Sequence, residues 1–323
     1  MVRTGLIFFL ALALGACTTS TREAQAPPPA PVAPISYAST QYLLEADQLE
    51  RLLAHRNPIV LIDLRKPAEY AQGHLPGAHN VWRPQIQDTH GYPYGGMRLS
   101  LPQAEAFLGS LGITPQHKIV IYDAKGGVDA ARLWWMLCQY GHHNVALLHG
   151  GLPAWQAQGY PISQEAPATP TPAQYHFCGQ PVPSLLATRE TVLAAIQDTT
   201  ILLLDTRSTD EYTGAVQKDG AFKPGRIASS IHLDYYDNLD TSVEGQLRFK
   251  SYQDLKAMYQ QVGITADQPV IAYCHSGVRS AHTTFVLTQL LGYPLVANYD
   301  GSWTEWSYFN ELPIENDATP VAQ

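Results

Sequence analysis

Residues 272–280 read AYCHSGVRS: a thiol, Cys274, closes an apolar run, and Gly277 and Arg279 follow within five positions. A loop this short between a strand and a helix curls its backbone N–H groups toward a common centre, and Gly277 supplies the conformational freedom for that curl. The helix predicted to open at Ser280 and run to Gly292 adds unpaired N–H groups and the positive end of its dipole. The pocket should favour an anion, and the same field acts on the thiol. A free cysteine is about 3% thiolate at pH 7, whereas lowering its pKa by roughly 1.5, about 2 kcal/mol, makes it half ionised. Arg279 and a protonated His275 are expected to push in that direction. Cys274 therefore reads as a nucleophile rather than as the inert buried thiol that a strand cysteine usually is.

Such a loop needs a sheet behind it, and the chain writes the same unit twice. PIVLIDLRKPAEYAQGHLPGAHNV, from Pro58, is echoed by TILLLDTRSTDEYTGA from Thr200 and GRIASSIHL from Gly225. HKIVIYDAKGGVDAARLWWMLCQYG, from His117, aligns with QPVIAYCHSGVRSAHTTFVLTQLLG from Gln268, which puts Asp123 where the second copy has Cys274. Short β-rich runs at Ile59–Ile62, Ile119–Tyr122 and Val145–Leu148, then Ile201–Leu204, Val270–Tyr273 and Leu295–Ala297, alternate with helical windows. Strands apolar on both faces and separated by helices imply parallel sheets covered on both sides, with ligands at the strands' carboxyl ends. The fold class is α/β, as two tandem domains at 39–163 and 184–315. Between them 164–183 is a Pro- and Ala-rich linker, and 316–323 is a tail.

Other polar residues read structurally. Asp63, Arg65 and Glu69, with Asp205, Arg207 and Glu211, look like ion-paired strand-end residues that fix a turn. His142, His143 and His149 lack a Cys or carboxylate at metal-ligand spacing, so no metal is expected. Trp134, Trp135 and Trp155, with Trp303 and Trp306, read as core and domain-interface packing, Trp303 also as a pocket wall. Cys138 sits in a helical pattern and Cys178 in the linker, and the sequence leaves open whether they pair.

The 323 residues are 45% hydrophobic and 15% charged, enough to build two cores, and the net charge of -8 argues against a nucleic-acid partner. At the amino end, Arg3, an apolar run from Leu6 to Leu14, and Gly15-Ala16-Cys17 read as a signal segment over 1–16, too short to cross a bilayer. Residues 17–38, rich in Pro and Ala, read as an extended tether.

Two resemblances add to this. Leu14-Gly15-Ala16-Cys17 resembles the lipobox of bacterial lipoproteins, which implies a lipidated Cys17 and a periplasmic protein anchored to the membrane; Thr18, not Asp, implies the outer one. The tandem units, the D-x-R-x3-E-Y and GHLPGA elements, the Cys274 loop and YDGSWTEW together resemble two-domain rhodanese-type sulfurtransferases over roughly residues 39 to 315. That family carries its nucleophile in the second domain, which agrees with Asp123 in the first. The resemblance implies that Cys274 takes a sulfane sulfur as a persulfide and passes it to cyanide or a thiol, without metal or organic cofactor and as a monomer. It implies that the loop from His275 through Ser276, Gly277, Val278 and Arg279 to Ser280 holds the donor, with Arg226 contributing from outside. Related phosphatases use C-x5-R, and the C-x4-R spacing here favours sulfur over phosphoryl transfer. The loop shares Ser276 with mercaptopyruvate-type loops and charge with thiosulfate-type ones, and GRIASS replaces the GHLPGA turn. Thiosulfate is the expected donor, with 3-mercaptopyruvate, or a persulfide relay without turnover, as alternatives.

Overall fold

The computed structural model describes residues 1–2, 37–55 and 57–317. Within 37–317 the strands are β1 (Leu43–Leu44), β2 (Ile59–Asp63), β3 (His79–Asn80), β4 (Lys118–Tyr122), β5 (Val145–Leu148), β6 (Leu186–Ala187), β7 (Leu202–Asp205), β8 (Arg226–Ile227), β9 (Ile231–His232), β10 (Leu239–Asp240), β11 (Arg248–Phe249), β12 (Val270–Tyr273), β13 (Val296–Tyr299) and β14 (Ile314–Glu315). The helices are α1 (Ala46–Ala54), α2 (Pro67–Ala71), α3 (Leu101–Ser110), α4 (Val128–Tyr140), α5 (Gly151–Ala157), α6 (Arg189–Ala195), α7 (Thr209–Thr213), α8 (Tyr252–Gln261), α9 (Val278–Phe285) and α10 (Ser302–Trp306).

Two five-stranded parallel sheets result, β1-β5-β4-β2-β3 and β6-β13-β12-β7-β9, and the strand orders correspond one to one. The repeat seen in the sequence is thus a repeat of topology. Val145–Leu148 and Val270–Tyr273 are buried along their whole length, as strands covered on both faces must be. The edge pairs of two residues, and the antiparallel pairs β10–β11 and β8–β14, have no apolar run to announce them.

Helix caps set where side chains emerge. The Thr188, Ser208 and Ser251 hydroxyls accept N–H bonds from Thr191, Glu211 and Asp254, starting α6, α7 and α8. α4 has no solvent-exposed face: all its residues, Asp129, Arg132 and Gln139 included, are buried, because it lies between the two sheets' domains and packs on α9. Trp134 meets Phe285 edge-on at 4.9 Å across that contact. α9 begins at Val278, two residues before the predicted Ser280, because Gly277 at φ +73° already caps it. Arg279 and Ser280 are therefore on the first helical turn, not in the loop.

Each sheet also repeats a buried ion pair. Arg65 Nε donates to Asp63 at 3.0 Å and its Nη2 reaches the Gly73 carbonyl; Arg207 does the same with Asp205 and the Gly225 carbonyl. These pairs clamp the turn after β2 and β7, as the sequence suggested. Glu69 and Glu211 do not belong to them. The Glu69 side chain accepts the Lys66 N–H to cap α2, and Glu211 has a different partner, described below.

Candidate active site

β12 ends at Tyr273, and the four residues Cys274 to Gly277 turn the chain straight into α9. The turn is pinned from behind by Ser302. Its Oγ accepts the N–H groups of Cys274 (3.1 Å) and Gly277 (3.0 Å) and donates to the Tyr299 carbonyl (2.7 Å). To do so Ser302 takes φ +49°, a left-handed conformation that is costly for a residue with a Cβ. The Trp303 N–H donates to the Cys274 carbonyl and the Thr304 N–H to that of His275. With the Cys274 and His275 carbonyls and the Cys274 and Gly277 N–H groups tied outward, the Ser276 amide of the loop and the Ser280 amide of α9's first turn serve the sulfur.

Cys274 is 1% exposed. Burial pushes its thiol up, but the Arg279 charge, the Ser280 hydroxyl and the Ser280 and Ser276 N–H groups more than offset this, and the thiol lies below its ordinary range. The Ser280 hydroxyl is buried with no oxygen or nitrogen partner among the described residues, which leaves it to the sulfur. The arrangement stabilises a thiolate, or any anion of sulfur bound at that point.

Three expectations change. His275 is not protonated near neutrality: burial, then the Lys218 charge, push it down to about 4, so it adds no positive field. Arg279 does not stand free for a donor, since its Nη1 and Nη2 donate to Glu211 at 2.6 and 2.8 Å. Glu211 in turn, raised by burial, is drawn down to about 2 by that bond. Arg226 is used elsewhere. Its guanidinium bonds Glu315 and Asp317 and lies 4.4 Å from the centroid of the Tyr212 ring, which makes it a brace between β8 and the chain's end.

The first half carries the same cradle with a different occupant. The Asp123 carboxylate accepts four N–H bonds, from Lys125 (2.8 Å), Gly127 (2.9 Å), Asp129 (2.9 Å) and Ala130 (3.2 Å). Gly127 caps α4 at φ +87° as Gly277 caps α9. The turn between strand and helix thus converges its amides on an anion in both copies, and in the first the anion is built in.

Residues that sequence reasoning passed over complete the site. Arg132, on α4, is 1% exposed; its Nη1 donates to the Gly277 carbonyl (3.3 Å), and its Nη2 to the Gly96 carbonyl (2.9 Å) and Asp300 (2.5 Å). Asn298 Nδ2 also holds the Gly277 carbonyl, at 3.1 Å. His282, at the same place on α9 as Arg132 on α4, returns the contact through Nε2 and the Gly126 carbonyl, 3.1 Å apart. The alignment that paired Asp123 with Cys274 held the clue to this reciprocity. Trp303 is 2% exposed, donates its indole N–H to the Lys223 carbonyl, and stacks near Arg207 at 4.7 Å.

Cys138, Cys178 and Cys274 are all unbridged, Cys138 buried and Cys178 exposed. The His142 ring bonds Tyr175 and the Asn144 carbonyl, and His149 bonds Glu45, Arg248 and the Phe249 N–H. Cys17 lies outside the described residues, and among those described no helix is long and apolar enough to cross a membrane.

A rhodanese-like domain model matches residues 45–158 and again 188–308. Thiosulfate sulfurtransferase of Pseudomonas aeruginosa is 34% identical over 262 residues, 80% of this chain and 91% of the relative. Sulfur carrier protein TtuD of Thermus thermophilus is 32% identical over 295 residues, 87% of this chain and 98% of the relative. Among solved structures, the anaerobic ergothioneine biosynthesis enzyme of Chlorobium limicola shares the fold at 23% identity, with a TM-score of 0.77 over 88% of this chain and 72% of that one.

Proposed function

Because the chain belongs to the rhodanese family of sulfurtransferases, we propose that it moves the sulfane sulfur of thiosulfate to cyanide or a thiol by way of a Cys274 persulfide. The observation that carries this is the Cys274 thiol, buried in a ring of amides and kept below its ordinary range beside Arg279. The thiolate attacks the outer sulfur of thiosulfate, the S–S bond of the donor breaks, and its electron pair leaves with sulfite. The persulfide anion then occupies the place that the Asp123 carboxylate fills in the first half. Cyanide attacks its outer sulfur and leaves as thiocyanate, returning the thiolate.

The name of the Pseudomonas relative favours thiosulfate as donor. The burial of Cys274, together with the Thermus relative named as a sulfur carrier, supports a second reading in which the persulfide is handed only to a docked partner. Purified protein lacking residues 1–17 should be assayed with thiosulfate and with 3-mercaptopyruvate, each with cyanide, alongside a mass measurement of Cys274. Turnover with thiosulfate that vanishes in Cys274→Ser is the expected result. A persulfide mass without turnover would support the relay, and turnover retained by Cys274→Ser would exclude this site.

The same proposal places the protein in the periplasm, held to the outer membrane by lipid on Cys17. Globomycin-sensitive processing and detergent partitioning that disappear in Cys17→Ala are expected; partitioning unchanged by the substitution would remove the anchor from the account.

A further inference from the structure

A trans peptide points its N–H opposite to its carbonyl, so whatever holds the carbonyl of residue 277 also aims the N–H of residue 278. Gly277 sits at φ +73°, a conformation with little intrinsic preference to hold it there. Its carbonyl accepts from three donors: the Ala281 N–H of α9 itself, Asn298 from the neighbouring strand, and Arg132 from the half of the molecule that has Asp123 in place of Cys274. The space is closed from the same side. A Cβ on Gly277 would lie 2.7 Å from Arg132 Nη1, and one on Gly96 would lie 2.4 Å from the Ser276 Cβ. Arg132 is fixed in turn by Asp300, which also accepts the Arg98 N–H, and by the Trp135 ring 4.8 Å away. The Asp123 carboxylate, holding the first turn of α4, fixes the helix from which Arg132 reaches.

We propose that Arg132 is a positioning residue for the Cys274 loop: the first half holds the peptide 277–278 in place, and through it the convergence of the loop amides on sulfur. The proposal rests on Cys274 being the reacting group, but its readout does not need sulfur transfer. Arg132 and Asp300 form a pair with no net charge, so removing both leaves the field at Cys274 nearly unchanged while taking from the Gly277 carbonyl its donor from the first half, with Asn298 and the Ala281 N–H left in place. A rise in the Cys274 pKa then reports loop geometry, which separates positioning from electrostatics.

The experiment is the pH profile of iodoacetamide alkylation at Cys274, followed by peptide mass in the full chain. Wild type is compared with Arg132→Met/Asp300→Asn, and folding is checked by circular dichroism and thermal melting. The expected result is an upward shift of the profile in the folded double variant, with a rate at pH 7 lower by about threefold or more. Arg132→Lys keeps the charge against Asp300 but lacks the second arm for Gly277, and should shift the profile by less; it also carries the test if the double variant does not fold. Profiles that superimpose on wild type in a folded variant would overturn the proposal. A wild type that alkylates through a lowered pKa but forms no persulfide would refute the sulfur-transfer reading and leave this one standing.

Discussion

Ser302 offers a test in which stability and reactivity should part company. Ser302→Ala removes the oxygen that accepts from the Cys274 and Gly277 N–H groups and donates to Tyr299, while keeping the strained φ of +49°. Two buried donors are orphaned at roughly 1–3 kcal/mol each, so a loss of about 3 kcal/mol is expected, and a melting temperature lower by roughly 6–10 °C. Ser302→Gly loses the same bonds but relieves the backbone, as Gly151 does at φ +58° in the corresponding place of the first half. It should therefore be more stable than the alanine variant by about 1 kcal/mol. The loop is released equally in both, so the Cys274 alkylation profile should move upward by the same amount in each. Differential scanning calorimetry with pH-dependent alkylation decides the matter. If the two variants melt together, the strain assigned to Ser302 is wrong; if they melt apart but react like wild type, its bonds do not shape the thiolate.

Glu211 and Arg226 make two further expectations. Glu211 falls from 4.5 to about 2 on folding; a carboxyl lowered in the folded state contributes stability that is complete above about 4.5 and lost as pH falls toward about 2. That is worth roughly 2–3 kcal/mol after screening, so Glu211→Gln should lower urea stability at pH 7 by that order and converge with wild type near pH 2. An equal gap at both pH values would break the link to Arg279. Arg226→Gln should leave kcat/KM for thiosulfate within about twofold, because its guanidinium is held by Glu315 and Asp317 rather than by the loop; a tenfold loss would return it to donor binding.

What the sequence disclosed, and what it withheld, divides along range. Val270–Tyr273 and Val145–Leu148 were readable because a strand buried on both faces is an unbroken apolar run. Asp63–Arg65 and Asp205–Arg207 were readable because both partners lie within two residues. The start of α9 was placed two residues late, since β-branched Val278 and glycine weaken a helical pattern that the cap in fact begins. Partners far along the chain left no local mark. Glu211 and Arg279 are 68 residues apart, and Arg132 and Gly277 are 145. The neutrality of His275 is a consequence of burial, which spacing cannot express.

The exchange between α4 and α9, Arg132 into one turn and His282 into the other, makes the two copies mutual scaffolding rather than beads on a string. Cutting the chain at its linker should not yield a smaller working unit. The severed second copy would keep its sulfur but lose a guanidinium wedge and the Gly95–Gly96 backbone that roofs its turn, and the severed first copy would open to water the side of α4, Trp134 included, that packs on α9. Duplication here has produced one machine with a spare cradle permanently plugged, and the plugged cradle is part of what keeps the open one in shape.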